Sequence, residues 1–270
     1  GFNNPDDTWD EAYIEYILIG DSFIHGAYVN PPNDIASQLR DISKRNVLNL
    51  GYSGKGPLME YATLKEYIKP NTKKIVWFFF ENDFKNLADE KSNKKLEKYL
   101  ADESYSQNLK ERQDEIDMYA NNYINEEVKK YNRIKLRKFL QFLRLSQTRI
   151  ALSFKSEVTY TASRKPSEEI LNTFKEIIKN TKLISEENNS KFYFVYLPSY
   201  EQFKKEEDEV FLYNKVKEII HELRVPFIDI NNLLFDKIEN PYIYFPFQQP
   251  GHYNVNGYKE ISKIVYRETN

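Results

Sequence analysis

The sequence predicts an α/β protein on a mainly parallel sheet, and three observations carry that expectation. Short apolar runs of strand length alternate with longer stretches of helical spacing. Several runs are apolar throughout, as in Ile75–Phe80 (IVWFFF), which suits a strand covered on both faces. Turn-forming residues stand directly after these runs, where the chain must leave a sheet.

The elements follow in order. Glu15–Gly20 (EYILIG) reads as a strand that runs into Gly-Asp-Ser. Asn33–Ile42 reads as a helix, and Asn46–Leu50 (NVLNL) as a strand stopped at Gly51. Leu58–Tyr67 has helical spacing with Pro70 just past its end, and Ile75–Phe80 is the next strand. Later come a helix from Ser167 to about Glu186, a strand Lys191–Leu197 and a helix from about Glu207 to Leu223. A strand Pro226–Ile230 and a final helix from near Asn256 complete the pattern.

The stretch from about Lys85 to Lys165 interrupts the alternation. It is charged and helical in pattern, and is expected to be a helical insertion (85–165) within one domain spanning 1–270. Its second half is basic: Lys129–Lys155 holds nine Lys or Arg and no acid, interleaved with Leu136, Phe139, Leu140 and Leu143. The plain reading is a solvated face of a packed helix. The alternative is a surface for anionic lipid or acidic polysaccharide.

Composition narrows the function classes. The chain is 40% hydrophobic and 30% charged, which fits a globular fold rather than disorder. No apolar run approaches the ~20 residues needed to cross a bilayer. A formal charge of −2 gives no general attraction to nucleic acid, so no nucleic-acid partner is expected. With no cysteine, disulfides and thiolate chemistry are excluded. That, and a first residue that is Gly1 rather than methionine, leads us to expect an exported protein whose leader has been removed.

Four short blocks carry the chemistry. Gly20-Asp21-Ser22-Phe23 puts a serine on a tight strand-to-helix turn, exposing its hydroxyl and pointing its N–H at a bound carbonyl. The same residues could equally cap a helix. Asn49-Leu50-Gly51-Tyr52-Ser53-Gly54 follows the second strand, where a glycine lets substrate approach the backbone. Glu81-Asn82-Asp83 follows IVWFFF and offers an amide donor, or simply a loop. Gly251-His252-Tyr253-Asn254 opens the last helix. Of three histidines, His221 lies within a helix and His25 in a turn, so His252 is the best base near neutral pH.

These blocks, GDSF, NLGYSG, END and GHYNVNG, resemble blocks I, II, III and V of the SGNH/GDSL hydrolases, and the resemblance covers most of the chain outside 85–165. It implies a three-layer α/β/α, flavodoxin-like fold. It also implies Ser22 as nucleophile and His252 as base, with an oxyanion hole of the Ser22 and Gly54 N–H groups and the Asn82 amide. Two positions depart from the pattern. Phe80 stands where the family has glycine, which narrows the site and sets Glu81 beside Asn82. Gln249 stands where the family has the aspartate that orients the histidine. A glutamine oxygen can accept from Nδ1 but cannot stabilise an imidazolium as an anion does. Asp229 is available, though its position suits capping the loop after its strand.

The expected function is hydrolysis or transfer of a carboxylic ester, on a carbohydrate or cell-envelope glycan, given the family's habits and 21 tyrosines. No cofactor and no metal is implied. The alternatives are a catalytically weakened glycan- or envelope-binding module, favoured by Gln249 and Phe80, and a lipid-surface esterase, favoured by Lys129–Lys155.

Overall fold

The computed structural model describes residues 2–143, 165–204 and 207–270, the side chains of 133–143 excepted. Two compact units emerge, Gly1–Ser106 with Ser163–Asn270, and Gln107–Ala162.

The first unit holds a sheet of five parallel strands: β1 (Ile14–Ile19), β2 (Val47–Asn49), β3 (Thr72–Phe79), β4 (Lys191–Tyr196) and β5 (Phe227–Asp229). Their order is β2-β1-β3-β4-β5, and every neighbouring pair is parallel. This is the flavodoxin-like winding, whose reversal between β1 and β3 opens a crevice at the carboxyl ends of the strands. Register aligns those ends, with Leu18 opposite Asn49, Ile19 opposite Trp77, and Phe79 and Asp229 both opposite Tyr196.

Alternation along each strand feeds two cores. Tyr16, Leu18, Val76, Phe78, Val195 and Ile228 face one side, packed by α2 (Ile35–Ser43) and the last helix, Val255–Thr269. Ile17, Ile19, Ile75, Trp77, Phe79 and Phe194 face the other, covered by α3 (Pro57–Tyr67) and by helices Glu168–Glu187 and Glu207–Glu222. Burial on both faces explains why IVWFFF shows no polar alternation. Each such side chain withdrawn from water contributes about 1.5–3 kcal/mol before entropy is counted.

Caps set the helix starts. Asp34 accepts from Ser37 N–H at 3.0 Å, and Ser167 accepts from Ile170 N–H at 3.3 Å. The segment read as an insertion opens with α4 (Asp83–Glu90) and α5 (Lys94–Ala101). Both lie in the sheet-containing unit and pack on α3, burying Leu87, Leu96 and Tyr99. The second unit contains α6 (Gln113–Leu143), with α7 (Glu168–Glu187), α8 (Glu207–Glu222), α9 (Ile230–Leu233) and α10 (Val255–Thr269) following in the first. Of Lys129–Lys155, residues 144–155 lie outside the described residues, as do the side chains of 133–143. Of its described members, Lys129 and Lys130 pair with Glu126 and Glu127 at 3.1 and 2.6 Å. Among the described residues, no helix is long and apolar enough to cross a membrane.

Candidate active site

Ser22 opens a single helical turn, α1 (Ser22–His25), directly beyond β1. Gly20 makes that turn possible: its φ is +157°, and a Cβ there would stand 2.7 Å from the Ile24 side chain and 3.0 Å from the Phe78 carbonyl. Asp21 caps the turn, accepting from Phe23 N–H at 2.9 Å. At the far end of the chain, Asn254 caps α10 by accepting from Gly257 N–H at 3.0 Å, which fixes the loop carrying His252. Across 230 residues of sequence, the two meet: Ser22 Oγ lies 2.6 Å from His252 Nε2.

The imidazole is half-buried, and burial pulls its pKa down to about 4, so the ring is neutral and able to accept a proton at pH 7. Its two faces are covered by aromatic rings. Phe23 stacks on one at 4.3 Å between centroids and 27° from parallel, Tyr28 on the other at 4.5 Å and 25°. Phe80 continues the column beyond Phe23 at 4.3 Å. Phe80, at the position where the resemblance implies a glycine, thus backs the ring that covers one face of the imidazole.

Gln249 is placed elsewhere. Its side chain is exposed, and among the described residues nothing hydrogen-bonds His252 Nδ1. Phe247 and Gln248 are left-handed at φ +53° and +55°, Gln249 is extended, and Gly251 takes φ +148°. Along this path Gln249 is exposed, and among the described residues its side chain makes no hydrogen bond to the ring. Asp229 is committed to capping α9 and accepts from Tyr213 OH and the Asn232 amide, both at 2.6 Å. His25 bonds Ser53 Oγ through Nδ1 at 3.1 Å, its pKa lowered by burial and the nearby Lys55 ammonium. His221 is exposed on α8 and meets the Phe227 ring edge-on.

The three expected oxyanion donors lie on three adjacent strand ends. Ser22 follows β1, Gly54 follows β2 in an exposed turn at φ +79°, and Asn82 follows β3 as the residue before α4. Asp21 sits beside two of them: its carboxyl accepts from the Ser22 hydroxyl at 3.3 Å, and burial raises its pKa while Phe23 N–H, Asn82 and Ser22 act to lower it.

Behind the site lies a group of buried acids, of which the sequence pointed only to Glu81 and Asp83, as neighbours of Asn82. Glu60 and Asp83 are fully buried, and both Glu60 oxygens lack a hydrogen-bond partner. Burial, then the neighbouring carboxyls, raises both well above the usual carboxylate range, so they are held neutral. Glu90 instead accepts from the N–H groups of Gly56, Leu58 and Met59 at the start of α3. Lys55, the one cation in this group, is pulled down to about 8 by burial, and bonds Thr63 at 3.0 Å. Glu81, beside Asn82, is pushed to about 9 by burial and by its bond to Glu209. Next to Gly54 a depression of about 300 Å³ is lined by Asn86, Asp89, Ser92 and Asn93. Among the described residues, no group of acids and histidines could hold a metal ion.

No protein-family model matches this sequence, and no curated protein matches it. Solved structures do. A lipolytic protein of the G-D-S-L family from Desulfitobacterium hafniense DCB-2 aligns at 13% identity over 94% of this chain and 98% of its own, with a TM-score of 0.51. A lipase/acylhydrolase from Enterococcus faecalis aligns at 13% identity over 94% of each chain, with a TM-score of 0.53. The acetyl xylan esterase AlAXEase aligns at 10% identity over 95% of this chain and all of its own, with a TM-score of 0.52. At such identities the likeness is one of fold, and the fold is that of the SGNH/GDSL hydrolases.

Proposed function

We propose that this chain cleaves or transfers carboxylic acyl esters, with Ser22 as nucleophile and His252 as general base. The observation that carries the reading is the 2.6 Å contact between Ser22 Oγ and His252 Nε2, made by a neutral imidazole. Attack of Oγ on the acyl carbon passes the serine proton to Nε2, and the same proton then goes to the departing alkoxide. Charge on the tetrahedral oxygen falls to the Ser22 and Gly54 N–H groups and the Asn82 amide, at the positive end of α1. Water, or an acceptor hydroxyl, then takes the acyl group from Ser22.

A carbohydrate or envelope glycan is the favoured alcohol. In support, the depression beside Gly54 is lined by amide, carboxylate and hydroxyl groups that suit a polyol, and exposed Tyr52 stands next to it in sequence. The acetyl xylan esterase among the similar structures points the same way. A second reading, a binding module with weakened catalysis, draws on the exposure of Gln249 and the missing carboxylate at Nδ1. Labelling with a fluorophosphonate, followed by mapping of the modified residue, tests the first reading. Modification of Ser22 supports it, and folded protein that stays unlabelled leaves the binding module.

A further inference from the structure

We propose that Tyr28 is a positioning residue for the base, holding the His252 ring against Ser22 by stacking and doing the orienting work that a carboxylate at Nδ1 would otherwise do. This rests on the reading of Ser22 and His252 as nucleophile and base.

The restraints on His252 are few and can be named. Nε2 meets Ser22 Oγ at 2.6 Å, Phe23 covers one face and Tyr28 the other. The Asp21 carboxyl touches the Ser22 hydroxyl rather than the imidazole, and the Gln249 side chain is exposed. A single hydrogen bond leaves an imidazole free to tilt about the Nε2–Oγ line. Two nearly parallel rings at van der Waals separation remove that freedom. Phe23 is itself fixed, buried and backed by Phe80 and Tyr253. Tyr28 is therefore the movable jaw.

Tyr28 is not placed there by burial. Its side chain is 81% exposed, while its backbone sits at φ +69°, a conformation that a bulky residue adopts only when its surroundings demand it. The preceding turn is tied down by Gly26, also left-handed, and by the Ala27 N–H bond to the Ser22 carbonyl at 3.0 Å. The loop that carries the nucleophile thus also carries the cover of the base. When Ser22 gives up its proton, the imidazolium lies between two π faces, which offset only part of the cost of burying the cation.

The experiment uses the full chain as wild type, Tyr28→Ala and Tyr28→Phe. Two quantities are read: the rate of Ser22 labelling by fluorophosphonate at pH 7, and the NMR titration of the His252 ring, assigned with His252→Gln. Tyr28 is exposed, so both variants are expected to melt as the wild type does. We expect Tyr28→Ala to label about 10–100-fold more slowly and its ring to titrate closer to the ordinary histidine value, because water reaches the uncovered face. Tyr28→Phe should keep both properties, since the stack needs the ring and not the hydroxyl. Wild-type labelling rates in Tyr28→Ala, or an unmoved titration, would overturn the proposal. So would an ester assay in which KM rises while kcat holds, since that describes a substrate platform. If wild-type Ser22 itself fails to label, the nucleophile reading falls and the positioning role falls with it.

Discussion

The Tyr28 ring lies 4.5 Å from the His252 ring and 25° from parallel, so the base is sandwiched where a carboxylate would be expected to hold it. That relationship, and the serine contact it accompanies, sets the outcomes expected of mutation and pH.

Ser22→Ala should abolish fluorophosphonate labelling, and His252→Ala should slow it by at least about 10³-fold. Peptide mapping of the labelled protein is the measurement. Label on any other serine would remove Ser22 from the chemistry.

The acid limb of kcat/KM should fall near pH 4 rather than near 6.5. Burial of His252 favours its neutral form, so protonation, which silences the base, is postponed to lower pH. A pH–rate profile with a simple ester decides this. An inflection above pH 6 would show that the ring is solvated in the working enzyme.

Asn82→Ala should lower kcat by about 10²–10³-fold with little change in KM, the cost of losing one transition-state donor. Since Asn82 also lies beside the buried Asp21 carboxyl, thermal stability should be followed in parallel. A variant that loses Tm while keeping kcat would assign the amide to the Asp21 turn alone.

Gln249→Ala should change kcat/KM by less than about 3-fold, because an exposed side chain away from Nδ1 adds no restraint on the base. A loss of 10-fold or more would mean that this loop swings inward when substrate binds.

Glu60→Gln should stabilise the fold increasingly as pH rises. Buried Glu60 is neutral in the folded chain, and its folded pKa stands above the unfolded value of 4.5. Its burial is therefore tolerated in full below pH 4.5, and stability is lost as pH climbs, by at most about 1.4 kcal/mol per unit. Melting curves at pH 5 and pH 8 test this, and an equal Tm gain at both would contradict it.

The strands were legible because a sheet buried on both faces forces apolar runs; Ser22, Gly54 and Asn82 follow strands, and His252 stands just before the last helix. What escaped the sequence has identifiable causes. Tyr28 sits in a loop without periodicity, and its stacking on a residue so distant in sequence leaves no local trace. Gln249 has the spacing of an orienting group, but it is exposed and follows left-handed Phe247 and Gln248, and backbone sign at non-glycine positions is not written in the residue types. Helices α4 and α5 read as part of a charged insertion because their outer faces are charged, while Leu87, Leu96 and Tyr99 beneath bind them to the main core.

The docking of α10 also bears on when the protein can work. The proposed nucleophile and oxyanion donors follow the first three strands, but the proposed base arrives only with the loop that leads into the last helix. That helix packs on α2, and its final residues reach the middle of the sheet, with Thr269 bonding the Tyr16 hydroxyl and Asn270 reaching Lys74. On the proposed reading, Ser22 is thus made early in synthesis and stays without its base until α10 has docked on the sheet. On that reading a nascent chain carries no assembled site while its other strands are still finding their places.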